Sequence, residues 1–500
     1  MVGLGSAVVA AALAAGCASQ AVGPRAREWL ELRSGHFILA TDLDRHRAEA
    51  VASGLEESWS ALAHVYQVIV PGRPPPDHEL RIVHLNDCAD VHALRPGTGG
   101  FVELSADFLS DPTAVTCGAF VGRSRTSVLH EVAHVFNLHY LHAHPSWLNE
   151  GLATYFQSVA VEGGRILLGR VADSAADLWR MAVPVPALGV LWQGMPGPGV
   201  TRAFWYFGAL NLVHLLNGGS DDYHRRFQMF LGLGAGGTPW VDAWNRAFGD
   251  LPDGRLEQEY IDYHLRKDLR LYAVAFRAPP PRPLRVHRLG AAEAHAVRAS
   301  LFIMTGQFTA ARQELAEAER DDPGWVEAPF WRAVFYTWFP YEAVADDKDP
   351  LALLRTYVDH VPGDARARAG IVTLGLRRYL PGDDFELDGS VPAGLAGMID
   401  DVEALARVAD SASALNNVAW YYAVSQRPDI GLRFSERALA LNPSCAACLD
   451  TLALLYHELG RHAEALDAQE RAVLLFGEYD PGRGVRERLD RYRELAGGAR

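Results

Sequence analysis

The chain has 500 residues, enough for roughly two to four domains. Hydrophobic residues make up 49% of it and charged residues 22%, which is typical of a folded protein rather than a disordered one. The 47 Lys and Arg residues against 61 Asp and Glu give a formal net charge of −14, which argues against non-specific nucleic-acid binding. No apolar run reaches the ~20 residues that span a bilayer, so the sequence excludes a polytopic membrane protein.

The N-terminus has the pattern of an export signal. A short apolar segment of small residues ends at Gly16, and Leu13 to Cys17 resembles a bacterial lipobox, in which the cysteine is lipidated. No Lys or Arg precedes the segment and Leu13 lies one position too early, so a plain secretory signal or an Ala-rich helix remains an alternative. We expect residues 1–17 to be a signal with lipidation at Cys17, and the protein to be exported to a bacterial cell envelope or periplasm.

Four further cysteines would then face an oxidising compartment. Cys88 and Cys117 are a plausible disulfide pair. Cys445 and Cys448 form a single CxxC, too few ligands for a tetrahedral zinc site. We expect these two to be small buried thiols on a helix packing face.

The first half of the chain predicts a mixed α/β domain over residues 28–276. Short strands are indicated at 36–41, 80–85 and 101–104, with a helix from about Asp44 to Val68 and mainly helical sequence from Ser124 to Leu271. Four prolines within five positions then predict an extended linker at 277–284.

After this linker, residues 285–500 show a repeat of 34 residues. Ala419, Tyr422 and Ala438 recur 34 positions later. The pattern predicts close helix contacts at Gly460 and Ala465, and it resembles the tetratricopeptide repeat. An ordinary Ala-rich helical bundle is the alternative, and residues 360–410 fit poorly. The upstream residues that fit the same pattern are Ala299, Phe302, Gly306, Ala311, Ala318 and Pro323, followed by Ala333, Tyr336, Ala345 and Ala352.

The segment His130-Glu131-Val132-Ala133-His134 is the candidate for a catalytic metal site. On a helix, His130 and His134 project from one face one turn apart, which suits two nitrogen ligands of one zinc ion. Glu131 is offset by roughly 100° and could reach a water at the metal without displacing it. This is the HExxH pattern of zinc peptidases.

A third ligand is needed, and Glu150 is the candidate. It lies in Trp147-Leu148-Asn149-Glu150-Gly151-Leu152-Ala153-Thr154, after a chain reversal at Pro145. Gly151 and Ala153 lack bulk, so this helix could pack closely on the HExxH helix. Each of these residues also has an interpretation without a metal. The histidines could lie on a solvated helix face, Glu131 could be a surface acid, and Glu150 could be an acid in the first turn of a helix. His139, His142 and His144 are interpreted as loop histidines.

With both motifs, the chain resembles the gluzincin metallopeptidases of clan MA, and most closely the bacterial peptidase MA-like domains that are often fused to tetratricopeptide repeats. The resemblance extends over residues 28–272 and includes the helix at Tyr206 to Val213, Phe248-Gly249 and Leu256 to Tyr260. It implies that His130, His134 and Glu150 are zinc ligands. It also implies that Glu131 is the base and that Tyr206 stabilises the oxyanion. Tyr206 could equally be an aromatic residue of the core. No Gly-x-Met-Glu-Asn segment is present, which argues against an aminopeptidase.

The expected fold is therefore an α+β zincin-like peptidase domain followed by an all-α tetratricopeptide-repeat solenoid. The expected function is a Zn²⁺-dependent peptidase acting on a peptide or protein, with repeats that recruit a substrate or protein partner. The alternative is a catalytically inactive cell-envelope scaffold that acts through its repeats. Membrane contact is expected only through the N-terminal lipid.

Overall fold

The computed structural model describes residues 27–76, 80–96, 100–103, 113–118, 123–141, 144–170, 185–196, 200–265, 270–280, 283–380, 391, 394–443, 445–476 and 483–498. The predicted signal and lipidation site at Cys17 lie outside the described residues, as do His142 and part of the predicted linker. No helix in the described ranges is long and apolar enough to span a membrane.

The first part of the chain combines two sheets with nine helices among the residues described between 27 and 288. In chain order the elements are β1 Leu30–Arg33, β2 Phe37–Thr41, α1 Arg45–Ile69, β3 Leu80–Leu85, α2 Cys88–Leu94, β4 Phe101–Glu103, β5 Thr113–Cys117, α3 Arg123–Tyr140, α4 Ser146–Phe156, β6 Ala160–Glu162, β7 Arg165–Leu168, α5 Leu188–Trp192, α6 Val200–Gly218, α7 Asp221–Ala235, α8 Trp240–Phe248, α9 Arg255–His264, β8 Tyr272–Ala275 and β9 Arg285–Arg288.

The larger sheet has the strand order β4-β5-β3-β2-β1-β9. Strand β3 runs parallel to β2 and β5, whereas the other neighbours are antiparallel. Both faces of this sheet are buried. Alternate residues of each strand point to opposite sides, so each strand contributes side chains to two cores. Leu39 and Ile82 join a core with helices α1, α3, α4 and α6, while Ala40 and Val83 belong to a second core that continues into the C-terminal helices.

The proline-rich segment joins the two sheets. Strand β8 pairs with β7 in the small sheet β6-β7-β8, and β9 pairs with β1 at the edge of the larger sheet. Residues 285–288, which the sequence assigned to the repeat domain, therefore belong to the sheet, because their backbone groups complete its ladder. The first repeat helix begins only at Ala291.

The C-terminal part consists of helices stacked as hairpins. They are α10 Ala291–Met304, α11 Phe308–Asp321, α12 Ala328–Trp338, α13 Pro340–Ala345, α14 Pro350–His360, α15 Ala365–Tyr379, a short 3₁₀ turn Leu395–Met398, α16 Ile399–Val408, α17 Ala412–Val424, α18 Pro428–Leu441, α19 Ala446–Glu458, α20 His462–Phe476 and α21 Arg483–Gly498. The hairpin of α17 and α18 recurs as α19 and α20 after 34 residues, as in tetratricopeptide repeats.

Some predicted contact positions within the repeats are wrong. Ala465 is fully buried as expected, but Gly460 occupies the turn between two helices with a φ of 72° and no atom near its missing side chain. It supplies a left-handed turn, which glycine adopts without a steric penalty. Ala345, the last residue of the six-residue helix α13, and Ala352, near the start of α14, are exposed rather than at helix contacts.

Two disulfides cross-link the chain. Cys88 and Cys117 are bonded, which confirms that pairing, and they join helix α2 to strand β5. Cys445 and Cys448 are also bonded, so the expectation of two free thiols is wrong. Cys445 caps the N-terminus of α19 and Cys448 lies one turn later, which brings their Cα atoms within 5.1 Å.

Candidate metal centre

Helices α3 and α4 bring three predicted ligands together. The Nε2 atoms of His130 and His134 are 3.1 Å apart, because the residues lie one turn apart on α3. Helix α4 packs against α3 and directs Glu150 to the same point, where its Oε2 lies 3.3 Å from Nε2 of His130 and 3.4 Å from Nε2 of His134. Within the described part of the chain, no other group of three such side chains converges in this way.

The three atoms fit a zinc ion. Zinc bonds of about 2.0–2.2 Å in tetrahedral geometry place neighbouring ligand atoms about 3.3–3.5 Å apart, close to the three separations here. Glu150 is only 9% exposed, and its Oε2 is buried without a hydrogen bond to any described residue. A buried carboxylate oxygen without a hydrogen bond is costly, and a cation bound by it would remove that cost.

The charges of these groups are strongly coupled. Burial alone would raise the pKa of Glu150, but the two imidazoles hold that pKa far below its ordinary value. Burial alone would lower the pKa of His134, but contact with Glu150 raises it to about 9. At neutral pH the carboxylate of Glu150 is therefore ionised and paired with a protonated His134, and a metal ion would have to displace that proton.

Asn149 orients one of the imidazoles. Its Oδ1 lies 2.9 Å from Nδ1 of His134, so Nδ1 donates to that oxygen and Nε2 faces Glu150. Asn137 donates in turn to the backbone oxygen and to Oδ1 of Asn149, both at 3.0 Å. Neither asparagine belongs to the predicted ligand set. The only signal for them in the sequence is their position, three residues after His134 and one residue before Glu150.

Glu131 is buried beside the same cluster. It is 8% exposed, and burial raises its pKa above the ordinary value even though His130 and His134 oppose this. A side chain added at Gly100, just before edge strand β4, would lie 3.5 Å from its Oε1. Glu131 therefore lies between the two imidazoles and the sheet edge.

Tyr206 approaches from helix α6. Its ring centroid is 6.3 Å from that of His130. Burial raises the pKa of Tyr206, and the negative charges of Glu150 and Glu131 raise it further, so its hydroxyl stays protonated and can donate. Helix α6 comes this close because Gly151 of α4 faces it. Gly151 thus serves the α4–α6 contact rather than the predicted contact with α3.

His139 and His144 are not among the converging ligands, but His144 forms a side-chain hydrogen bond with Asn149. Nε2 of His139 is 2.9 Å from the carbonyl oxygen of Pro74, and Nδ1 of His144 contacts the carbonyl oxygen of Leu141. A cavity of about 640 Å³ lies elsewhere. Its lining charges are largely paired with one another, as in the ion pair of Arg27 with Asp42, and none of the candidate ligands lines it.

No protein-family model matches the chain, and no curated protein matches it. Similar solved structures include a tetratricopeptide-repeat protein of Thermus thermophilus, at 20% identity over 41% of this chain and 98% of that one, with a TM-score of 0.29. The tetratricopeptide-repeat domain of P58(IPK) is 14% identical over 70% and 89%, with a TM-score of 0.24. Yeast Tom70 is 11% identical over 74% and 73%, with a TM-score of 0.30. The feature that the C-terminal part shares with tetratricopeptide repeats is the 34-residue spacing of its own helical hairpins.

Proposed function

We propose that the protein is a zinc-dependent peptidase whose metal is held by His130, His134 and Glu150. The observation that carries this proposal is the convergence of the three ligand atoms within 3.4 Å of one another. Three protein ligands leave a fourth position open, as catalytic rather than structural zinc requires.

A zinc ion at this site would supply Lewis acidity toward a peptide carbonyl and would lower the pKa of a water molecule. The chain's own residues would do the rest. Glu131, buried beside the imidazoles, would take the proton of the attacking water and pass it to the leaving amine. Tyr206 would donate a hydrogen bond to the developing oxyanion.

The test uses a labelled, mixed-sequence peptide library and three proteins. The wild type should cleave peptides, and Glu131→Gln should retain zinc while losing at least about 100-fold in rate, because the amide cannot accept a proton. Glu56→Gln is the matched control. That carboxylate is also partly buried and bonded to a histidine, His36, but it is not part of the cluster. Equal cleavage by wild type and Glu131→Gln would refute the role of Glu131.

A second candidate is an interaction scaffold that acts through the hairpins at 291–476. The stacked helices α10–α20 support this reading, because such arrays present extended surfaces to peptides and proteins. A wild-type protein that binds zinc, captures a partner and cleaves no peptide would favour the scaffold. For the peptidase, the same array would recruit substrate. An exported location and a lipid anchor at Cys17 remain part of the proposal.

A further inference from the structure

A chain of polar side chains crosses the apolar core behind the metal centre. The hydroxyl of Tyr66, on α1, donates to Oδ1 of Asn137, on α3, and the Nδ2 of Asn137 donates to Asn149, on α4. Tyr66 and Asn137 are both fully buried. The ring of Tyr66 is stacked on Phe136 and Tyr140, with centroids 5.5 and 5.1 Å away.

This arrangement leaves each group one hydrogen-bonding role. A primary amide can turn over and exchange its oxygen and nitrogen. The backbone oxygen of Asn149 can only accept, so the Nδ2 of Asn137 must face it, and Oδ1 of Asn137 is left to accept from the hydroxyl of Tyr66. The Nδ2 of Asn137 also donates to Oδ1 of Asn149, which keeps that oxygen facing Nδ1 of His134. A buried polar group without a partner is costly, so the roles are enforced together.

The consequence reaches the metal. When Asn149 presents an oxygen, Nδ1 of His134 donates to it, and Nε2 is the nitrogen left to bind a metal. Were Asn149 to turn over, its NH₂ would face the N–H of Nδ1, two donors would oppose each other, and the imidazole would lose this support.

We propose that Tyr66 and Asn137 are positioning residues that hold Nδ1 of His134 on Asn149, aim its Nε2 at the metal position and thereby set the metal affinity of the site. The inference rests on the proposed metal ligation by His130, His134 and Glu150. It adds two residues, one of them on a helix that contributes no ligand, 71 positions away from Asn137 in the chain.

The test compares zinc affinities of the full chain by competition with a chromophoric chelator. Asn137→Leu should weaken zinc binding by about 10–100-fold, as loss of a group that supports a ligand does. Tyr66→Phe should weaken it less, by roughly 3–10-fold, since the amide keeps its other bonds. Adding Tyr66→Phe to Asn137→Leu should change the affinity little further.

Tyr140→Phe is the matched control. It removes a hydroxyl from the neighbouring stacked ring, and that hydroxyl donates to the carbonyl oxygen of Arg73 rather than to the polar chain. Equal zinc affinities of Tyr66→Phe and Tyr140→Phe would overturn the inference. If Asn137→Leu does not fold, this pair of phenylalanine variants decides alone.

A second measurement separates this inference from the proposed function. In the metal-free protein, nitrogen-15 NMR should show an Nδ1–H of His134 that exchanges slowly with water in the wild type, because it donates to Asn149, and faster in Tyr66→Phe. A wild type that takes up no zinc would contradict the proposed function. An unchanged exchange rate of this proton in Tyr66→Phe would contradict only the positioning role.

Discussion

A Cβ atom on Gly151 would lie 2.8 Å from the backbone oxygen of Ala209 and 2.6 Å from a methyl group of Val213. Helices α4 and α6 can therefore touch only because residue 151 has no side chain. This contact holds Glu150 and Tyr206 on the same side of the molecule.

Gly151→Ala should therefore push the two helices apart. We expect a loss of about 1–3 kcal/mol in the free energy of unfolding, because a backbone oxygen cannot yield as a flexible side chain can. Zinc affinity should fall as well, since Glu150 is the next residue. Gly232→Ala on α7 is the control, because nothing lies within 4 Å of that position. It should be neutral or stabilising by up to about 1 kcal/mol. Urea unfolding measures both variants, and equal effects would contradict the packing role.

The ligand set predicts which histidine substitutions remove the metal. His134→Gln should abolish stoichiometric zinc binding and the zinc-dependent rise in melting temperature, which for a saturated site at 100 times Kd corresponds to about 2.7 kcal/mol. His139→Gln, on the same helix but bonded to Pro74, should leave both unchanged. Metal analysis after dialysis and thermal melts with and without chelator provide the readout. Loss of zinc in His139→Gln would contradict the ligand set.

His84 should make the protein less stable in mild acid. Burial lowers its pKa to about 4; the hydrogen bond to Gly118 and the charge of Asp42 oppose this more weakly, and the charge of Arg47 adds to it. Its two ring nitrogens lie 2.8 Å from the hydroxyl of Thr116 and 2.7 Å from the carbonyl oxygen of Gly118. The folded protein therefore holds the neutral form, whereas the unfolded chain protonates near its ordinary pKa of about 6.5.

Stability contributed by this shift is fully present above about pH 6.5 and falls as the pH drops toward 4, by up to about 3 kcal/mol. Urea unfolding of wild type and His84→Gln at pH 7 and pH 5 tests this. The wild type should lose more stability between the two values than the variant. A parallel loss in both proteins would show that His84 does not titrate in this range.

The two disulfides should contribute unequally to stability. Cys88 and Cys117 are 29 residues apart and Cys445 and Cys448 only 3, so their loop-closure contributions are about 4 and about 2 kcal/mol. Replacing both cysteines of each pair with serine should reproduce this order in urea unfolding under oxidising conditions. A larger loss from the CxxC pair would mean that its native contacts, rather than loop closure, dominate.

The repeat helices should depend on the sheet. Leu301 and Phe302 of α10 belong to the same core as Val83 and Leu94, and the Nε2 of Gln307 lies 3.2 Å from the carbonyl oxygen of Ala93. We expect an isolated 289–498 fragment to expose this apolar surface, bind a hydrophobic dye and melt below the full chain. A fragment that melts like the full chain without binding dye would show that the repeats fold independently.

The local patterns of the chain determined the elements and the candidate ligands. The HExxH spacing is a property of one helix, so a period of 3.6 residues is enough to align His130 with His134. The 34-residue spacing of Ala419 and Ala453 likewise predicts hairpins, since each repeat packs on its neighbour. Both depend on short distances along the sequence.

Only the tertiary structure decided what meets across long distances. Gly151 packs against α6, and one face of the large sheet shares a core with the repeat helices. Tyr66 is linked through Asn137 to His134. Each of these contacts joins residues that no local period relates. Such contacts arise where separate helices and strands fill one core at close-packed density. Steric fit and hydrogen-bond satisfaction in that core, rather than any pattern along the chain, select the partners.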